Sequence, residues 1–177
     1  MGACLVRAIS ATAKGGSASR ISGDPKVGGL GLDAALVFCK YAAVSLFITC
    51  PVESVDRATV FYTALGWALN AEMSDHNVSC FAIAPEQYVM LGSREMYASV
   101  GGTEDLIGGS DTPSKVTVSF DLESREAVDE LVERASAAGG RIGDTDDYPF
   151  MYQRQFDDPD GYHYSPFWMK PDTDPSA

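Results

Sequence analysis

Two histidines, four cysteines, two pairs of adjacent acids and one nearby arginine are the side chains of this 177-residue chain best suited to chemistry. His163 sits two residues past the turn Asp158-Pro159-Asp160-Gly161, on the same strand face as Ser165. It reads either as an edge-strand residue or as a polar group or general base. No carboxylate can be assigned to it from spacing. His76 lies in the polar turn Ser74-Asp75-His76-Asn77 and reads as exposed. The pairs Asp146-Asp147 and Asp157-Asp158 fall at turns and read as solvated, so Asp157→Asn is expected to be nearly silent. Arg154 reads as a surface ion-pair partner or as an anchor for an anionic ligand. Cys50 and Cys80 lie in apolar runs, where free cysteine behaves as a small hydrophobe. No cysteines form C-x-x-C, and there is no G-x-S-x-G, P-loop or dinucleotide fingerprint.

The elements that position these residues occur twice. Residues 44–52 alternate as a strand, Ser54 caps a helix to about Leu65, and Gly66 stops it. Strand-like runs follow at 67–73, 78–84 and 87–92. After a glycine-containing loop at 100–114, Val116, Val118, Phe120 and Leu122 alternate with polar residues. Ser124 caps a second helix, with Val128, Leu131, Val132 and Ala135 on one stripe and Gly139-Gly140 at its end. Strand-like runs at 141–145, 149–156 and 162–169 close the chain. Glu53-Ser54 and Glu123-Ser124 are equivalent points 70 residues apart. Each half therefore reads as βαβββ, an internal repeat. The last two runs form a hairpin on the Asp-Pro-Asp-Gly turn.

The predicted organisation is a poorly ordered N-terminal extension, 1–43, then a domain, 44–170, made of modules 44–100 and 114–170, and a tail, 171–177. The extension holds five basic and two acidic residues, which leaves 8 basic and 23 acidic for the rest. A net charge of −12 argues against a nucleic-acid partner. No apolar run approaches the ~20 residues needed to span a bilayer, so no membrane role is expected. The unpaired cysteine pattern reads as a reduced, cytoplasmic protein.

The phrase Cys50-Pro51-Val52-Glu53-Ser54, with Phe61-Tyr62-Thr63-Ala64-Leu65-Gly66, resembles the opening of the vicinal-oxygen-chelate superfamily of glyoxalase, bleomycin-resistance and extradiol dioxygenase-like proteins. The closing Tyr148–Tyr152 segment and the Asp-Pro-Asp-Gly hairpin resemble the same group. The resemblance covers roughly 44–170. It implies an α+β fold of two βαβββ modules forming curved mixed sheets around a cavity. It also implies metal-ligand positions at Phe47, Met90, Thr117 and Ser165. None is a histidine or carboxylate, so no metal and no cofactor are expected.

Strand alternation within that fold turns Phe47, Thr49, Tyr88 and Met90 of the first half inward. Thr117, Ser119, His163, Ser165 and Phe167 are the inward set of the second half. Apolar walls with sparse polar groups suit a small-molecule ligand. The leading expectation is a metal-free small-molecule binder with an inter-module cavity, working as a homodimer. The alternatives are a superfamily enzyme (lyase, isomerase or dioxygenase type, similar to lactoylglutathione lyase) with an unrecognised site, and a partner-binding module.

Overall fold

The computed structural model describes residues 45–102 and 114–171. The proposed extension, most of the inter-module loop and nearly all of the tail lie outside the described residues. The first module runs β1 (Leu46–Pro51), α1 (Val55–Ala64), β2 (Ala68–Leu69), a short 3-10 turn (Ala71–Met73), β3 (Val78–Ala84), β4 (Gln87–Gly92) and α2 (Arg94–Ser99). The second runs β5 (Thr117–Asp121), α3 (Arg125–Ala137), β6 (Arg141–Asp147), β7 (Met151–Asp157) and β8 (His163–Met169). Two mixed sheets result, ordered β1-β4-β3-β2 and β5-β8-β7-β6. In each, the first and last strands pair in parallel and the other pairs are antiparallel. The sheets are open, not closed into a barrel.

Local chemistry explains the repeat. The Ser54 and Ser124 side chains accept from Arg57 N and Ala127 N, each satisfying a donor in the first helical turn. Two departures from the sequence reading are local as well. The 67–73 run is a strand for only two residues, because the Asn70 side chain accepts from Glu72 N and Met73 N and closes a 3-10 turn instead. The additional helix α2 starts where Ser93 Oγ accepts from Met96 N.

The main core joins both modules. Phe61 and Tyr62 of α1 with Leu65 at its C-cap, Leu131, Val132 and Ala135 of α3, and Phe156 and Tyr164 of β7 and β8 form one buried cluster. Phe61 meets Phe156 at 6.5 Å between ring centroids, and Tyr62 meets Tyr164 edge-on at 6.1 Å. The helix-facing sides of both sheets thus share one core. The opposite face of each sheet turns away from it.

Candidate functional site

On sheet 1, the face turned from the core carries Phe47, Thr49, Tyr88 and Met90. Phe47 stacks on Tyr88 with centroids 4.8 Å apart, and their strands pair in register. Val78, Cys80 and Met90 are fully buried here beneath Phe47, Tyr88, Met73 and Met96. Met96 lies against Gly92, and a side chain there would require the Met96 thioether to move. Met73 and Met96 were not legible as part of this face, because their positions depend on the 3-10 turn and α2. This wall is therefore largely packed by the module's own residues.

Sheet 2 is different. Thr117 pairs with His163, His163 with Asp157, and Asp157 with Arg141, so one residue from each strand forms a continuous row. Directly paired residues share a face. His163 Nδ1 lies 2.6 Å from Asp157 Oδ1. Arg141 donates to Asp157 Oδ2 through Nη2 at 2.5 Å and Nε at 3.0 Å. The next row pairs Ser119 with Ser165, and the one after it Asp121 with Phe167 and Phe167 with Gln153. Gln153 donates to Asp146 at 2.9 Å. Thr117 and Ser119 are exposed, His163 and Phe167 half-buried, and Ser165 buried.

The reading of the acid pairs is overturned on three of four residues. Asp157 is not a solvated turn acid but the shared acceptor of His163 and Arg141. Residues 157 and 163 close the hairpin, so counting outward from the turn would have found this pair. Asp158 is also buried. Its Oδ1 accepts from Asp160 N at 2.9 Å and Tyr162 N at 2.8 Å, and Tyr62 Oη donates to its Oδ2 at 2.6 Å. Gly161, at φ 89, completes the turn in the left-handed region. Asp146 is held by Gln153, while Asp147 is an exposed acceptor for Arg125 and Lys170. Arg154 lies on the helix-facing side, where it pairs with Asp129 at 2.9 Å. His76 is exposed, as read.

Burial dominates the electrostatics beneath the hairpin. It pushes Asp158 up to about 6, against which the Tyr62 and backbone hydrogen bonds work. It pushes the Cys50 thiol up to about 12, with Asp158 and Asp160 adding to the effect. A thiol so raised is no nucleophile at neutral pH. The Tyr62 and Tyr164 hydroxyls, 2.7 Å apart, are likewise held well above the usual phenol range by burial.

The superfamily's metal positions do not fit a metal here. Phe47 has no donor atom, Met90 is sealed in the sheet 1 packing, and Thr117 and Ser165 offer only hydroxyls. Among the described residues no three His, Cys, Asp or Glu side chains converge. A recess of about 320 Å³ lies on the helix side between the modules, lined by Trp67, Phe120 and Leu131 with Glu123, Glu130 and Arg134. None of the sequence-predicted site residues is in its wall, and Arg134 is already paired with the Leu65 carbonyl and Glu130.

The two inward sets thus occupy two separate faces of one chain. Helix residues of both modules meet in the shared core between them. Paired βαβββ modules with open mixed sheets define the glyoxalase-like fold class. The profile of the Glyoxalase/Bleomycin resistance protein/Dioxygenase superfamily matches residues 46–164, and the chain belongs to that superfamily.

Among solved structures, hypothetical protein SA1046 from S. aureus is 23% identical with a TM-score of 0.58, covering 70% of this chain and 92% of that one. A glyoxalase/bleomycin resistance protein/dioxygenase from Nocardioides is 22% identical with a TM-score of 0.56, covering 80% and 95%. A lactoylglutathione lyase from Agrobacterium tumefaciens is 16% identical with a TM-score of 0.53, covering 70% and 91%. At these identities the likeness shows the fold alone. A comparison with curated proteins finds no match.

Proposed function

We propose that this protein binds a neutral small molecule on the open face of sheet 2, without a resident metal, and that a second copy completes the pocket. The observation that carries this reading is the hydroxyl-lined face itself, on which Thr117 and Ser119 are exposed and Ser165 is buried. Thr117, Ser119 and Ser165 offer hydrogen bonds beside the apolar Phe167, the pattern of walls and sparse polar groups that orients a ligand. At one end of this sheet, Tyr148 and Phe150 stack at 5.8 Å, and both stay exposed, as does Met169 of β8. Exposed apolar clusters of this kind mark association surfaces. Docking the stacked Phe47–Tyr88 face of a second copy there would bring the two inward sets together, as one chain does not. The net charge of −12 disfavours anionic ligands. The reading includes a homodimer in the cytoplasm. Among the described residues no helix is long and apolar enough to cross a membrane.

Light scattering should give twice the 18.9 kDa chain mass at micromolar concentration. A strictly monomeric protein would overturn the shared pocket. For binding, a thermal-shift screen of neutral small molecules should find stabilisers, since a ligand at 100 times its Kd adds ~2.7 kcal/mol. Thr117→Phe is expected to abolish that shift. Because Thr117 is exposed, the unliganded chain should stay within about 0.5 kcal/mol of the parent. An unchanged ligand response in Thr117→Phe would place the binding site elsewhere.

A further inference from the structure

The row Arg141–Asp157–His163–Thr117 has a property that binding does not require. His163 is oriented. Its Nδ1 is fixed on Asp157 Oδ1 at 2.6 Å, while the other Asp157 oxygen is held by two Arg141 donors. The carboxylate is 16% exposed and the imidazole 27%, so the pair is shielded without being sealed. With Asp157 as acceptor, the N–H belongs on Nδ1, which leaves Nε2 with its lone pair. Among the described residues Nε2 has no hydrogen-bond partner. The same holds for the hydroxyls of Thr117, Ser119 and Ser165, which lie in the same row and the next.

An imidazole fixed by a carboxylate through one nitrogen, with the other nitrogen bare, is the arrangement of a general base. Nearby unpaired hydroxyls are donors for charge that develops when a proton leaves. We infer that His163 is a catalytic general base that moves a proton on a neutral carbonyl compound, with Asp157 and Arg141 as its positioning residues. The inference rests on the proposed binding face only for where the substrate sits.

In the step, Nε2 takes a proton from the carbon next to the carbonyl. The C–H bond breaks and an N–H bond forms. The electron pair moves into the C–C bond, and the carbonyl oxygen becomes an enolate that accepts from the Ser119 and Ser165 hydroxyls. Transfer of that proton from the imidazolium to the enolate oxygen releases the enol, so the net change is an isomerisation by one proton shift. No metal, oxidant or second reactant enters the balance. Arg141 Nε and Nη2 offset the charge of Asp157 beside the base, and the net charge of −12 disfavours an anion, so a neutral substrate fits.

Two measurements on the full chain test this. With only two histidines, a His76→Gln background leaves one imidazole in a histidine-¹⁵N spectrum. The expected signal is the Nδ1–H tautomer, moving toward a tautomer mixture in Asp157→Asn and back in Asp157→Glu. An Nε2–H tautomer, or one indifferent to Asp157→Asn, overturns the positioning roles. The second measurement uses 5-nitrobenzisoxazole, a neutral probe whose ring opens when a base removes one C–H proton. The parent should open it at least about tenfold faster than His163→Gln and Asp157→Asn, with His76→Gln unchanged. Equal rates in parent and His163→Gln, whatever the tautomer, overturn the catalytic claim. The tautomer is read without any ligand, so it stands or falls apart from the binding reading. Melting curves of each variant confirm that it folds.

Discussion

Arg57→Ala is expected to cost about 3 kcal/mol of stability, far more than its half-exposed position on α1 suggests. Arg57 Nη2 donates to Asp160 Oδ1 at 2.7 Å, and Glu53 N donates to the same oxygen at 3.0 Å. Asp160 is 3% exposed, and among the described residues its buried Oδ2 has no hydrogen-bond partner. Removing Arg57 would leave a buried carboxylate with one backbone donor. Breaking one side of such a pair costs the desolvation of the remaining charge as well as the contact. The neighbouring Glu53–Arg57 pair decides nothing by comparison. It spans 3.4 Å with both side chains largely in water, so Glu53→Gln should change stability by less than about 1 kcal/mol. The contact joins the modules, because Arg57 and Glu53 belong to the first and Asp160 to the hairpin turn of the second. Urea unfolding at pH 7 gives the test. Adding Asp160→Asn to Arg57→Ala should recover much of the loss, since the orphaned charge is then gone. If Arg57→Ala lies within about 0.5 kcal/mol of the parent, the turn does not tie the modules together electrostatically.

What the amino-acid sequence reveals here is local or repeated. Ser54 and Ser124 were legible as caps because capping depends on the residue and the three that follow. The strand faces were legible by alternation: Ile48, Cys50, Val118 and Phe120 pack toward the helices. The superfamily was legible from the doubled βαβββ order and the hairpin turn. How the modules sit was not. Each helix has a single apolar stripe, and alternation says only which strand residues share a face, not which sheet lies beyond the helix. That Tyr62, Phe156 and Tyr164 meet in one core between the modules is therefore not legible from alternation.

The burial of Asp158 was illegible for the same reason. A turn acid is solvated unless another element covers it, and here α1 of the other module does. His163 was found from its residue type. Its partner Asp157 is set by the hairpin register, which residue type does not reveal.

Asp158 gives the second large effect, a stability that depends on pH in an unusual direction. Burial raises this carboxyl from 3.8 to about 6 in the folded chain. In the unfolded chain it returns to the ordinary range near ~3.9. Between those values the folded state holds a proton that the unfolded state has released. The contribution of Asp158 is therefore fully present below about pH 4, declines as the pH rises to about 6, and is constant above that. The difference between the two plateaus is about 3 kcal/mol. Most native carboxylates act oppositely, losing stabilisation as the pH falls, so the effect is isolated by comparison with Asp158→Asn. An asparagine there can keep the bonds from Asp160 N and Tyr162 N on its oxygen. Its amide can donate to Tyr62 Oη, which then turns its own proton to Tyr164. Relative to the parent, Asp158→Asn should gain about 3 kcal/mol between pH 4 and pH 7.5, and at the higher pH be at least as stable. Urea unfolding at both pH values with unchanged m-values measures this directly. Parallel stability curves for the two proteins would mean that Asp158 is ionised in the folded state well below pH 6. The Tyr62 and backbone donors would then outweigh burial in setting its charge.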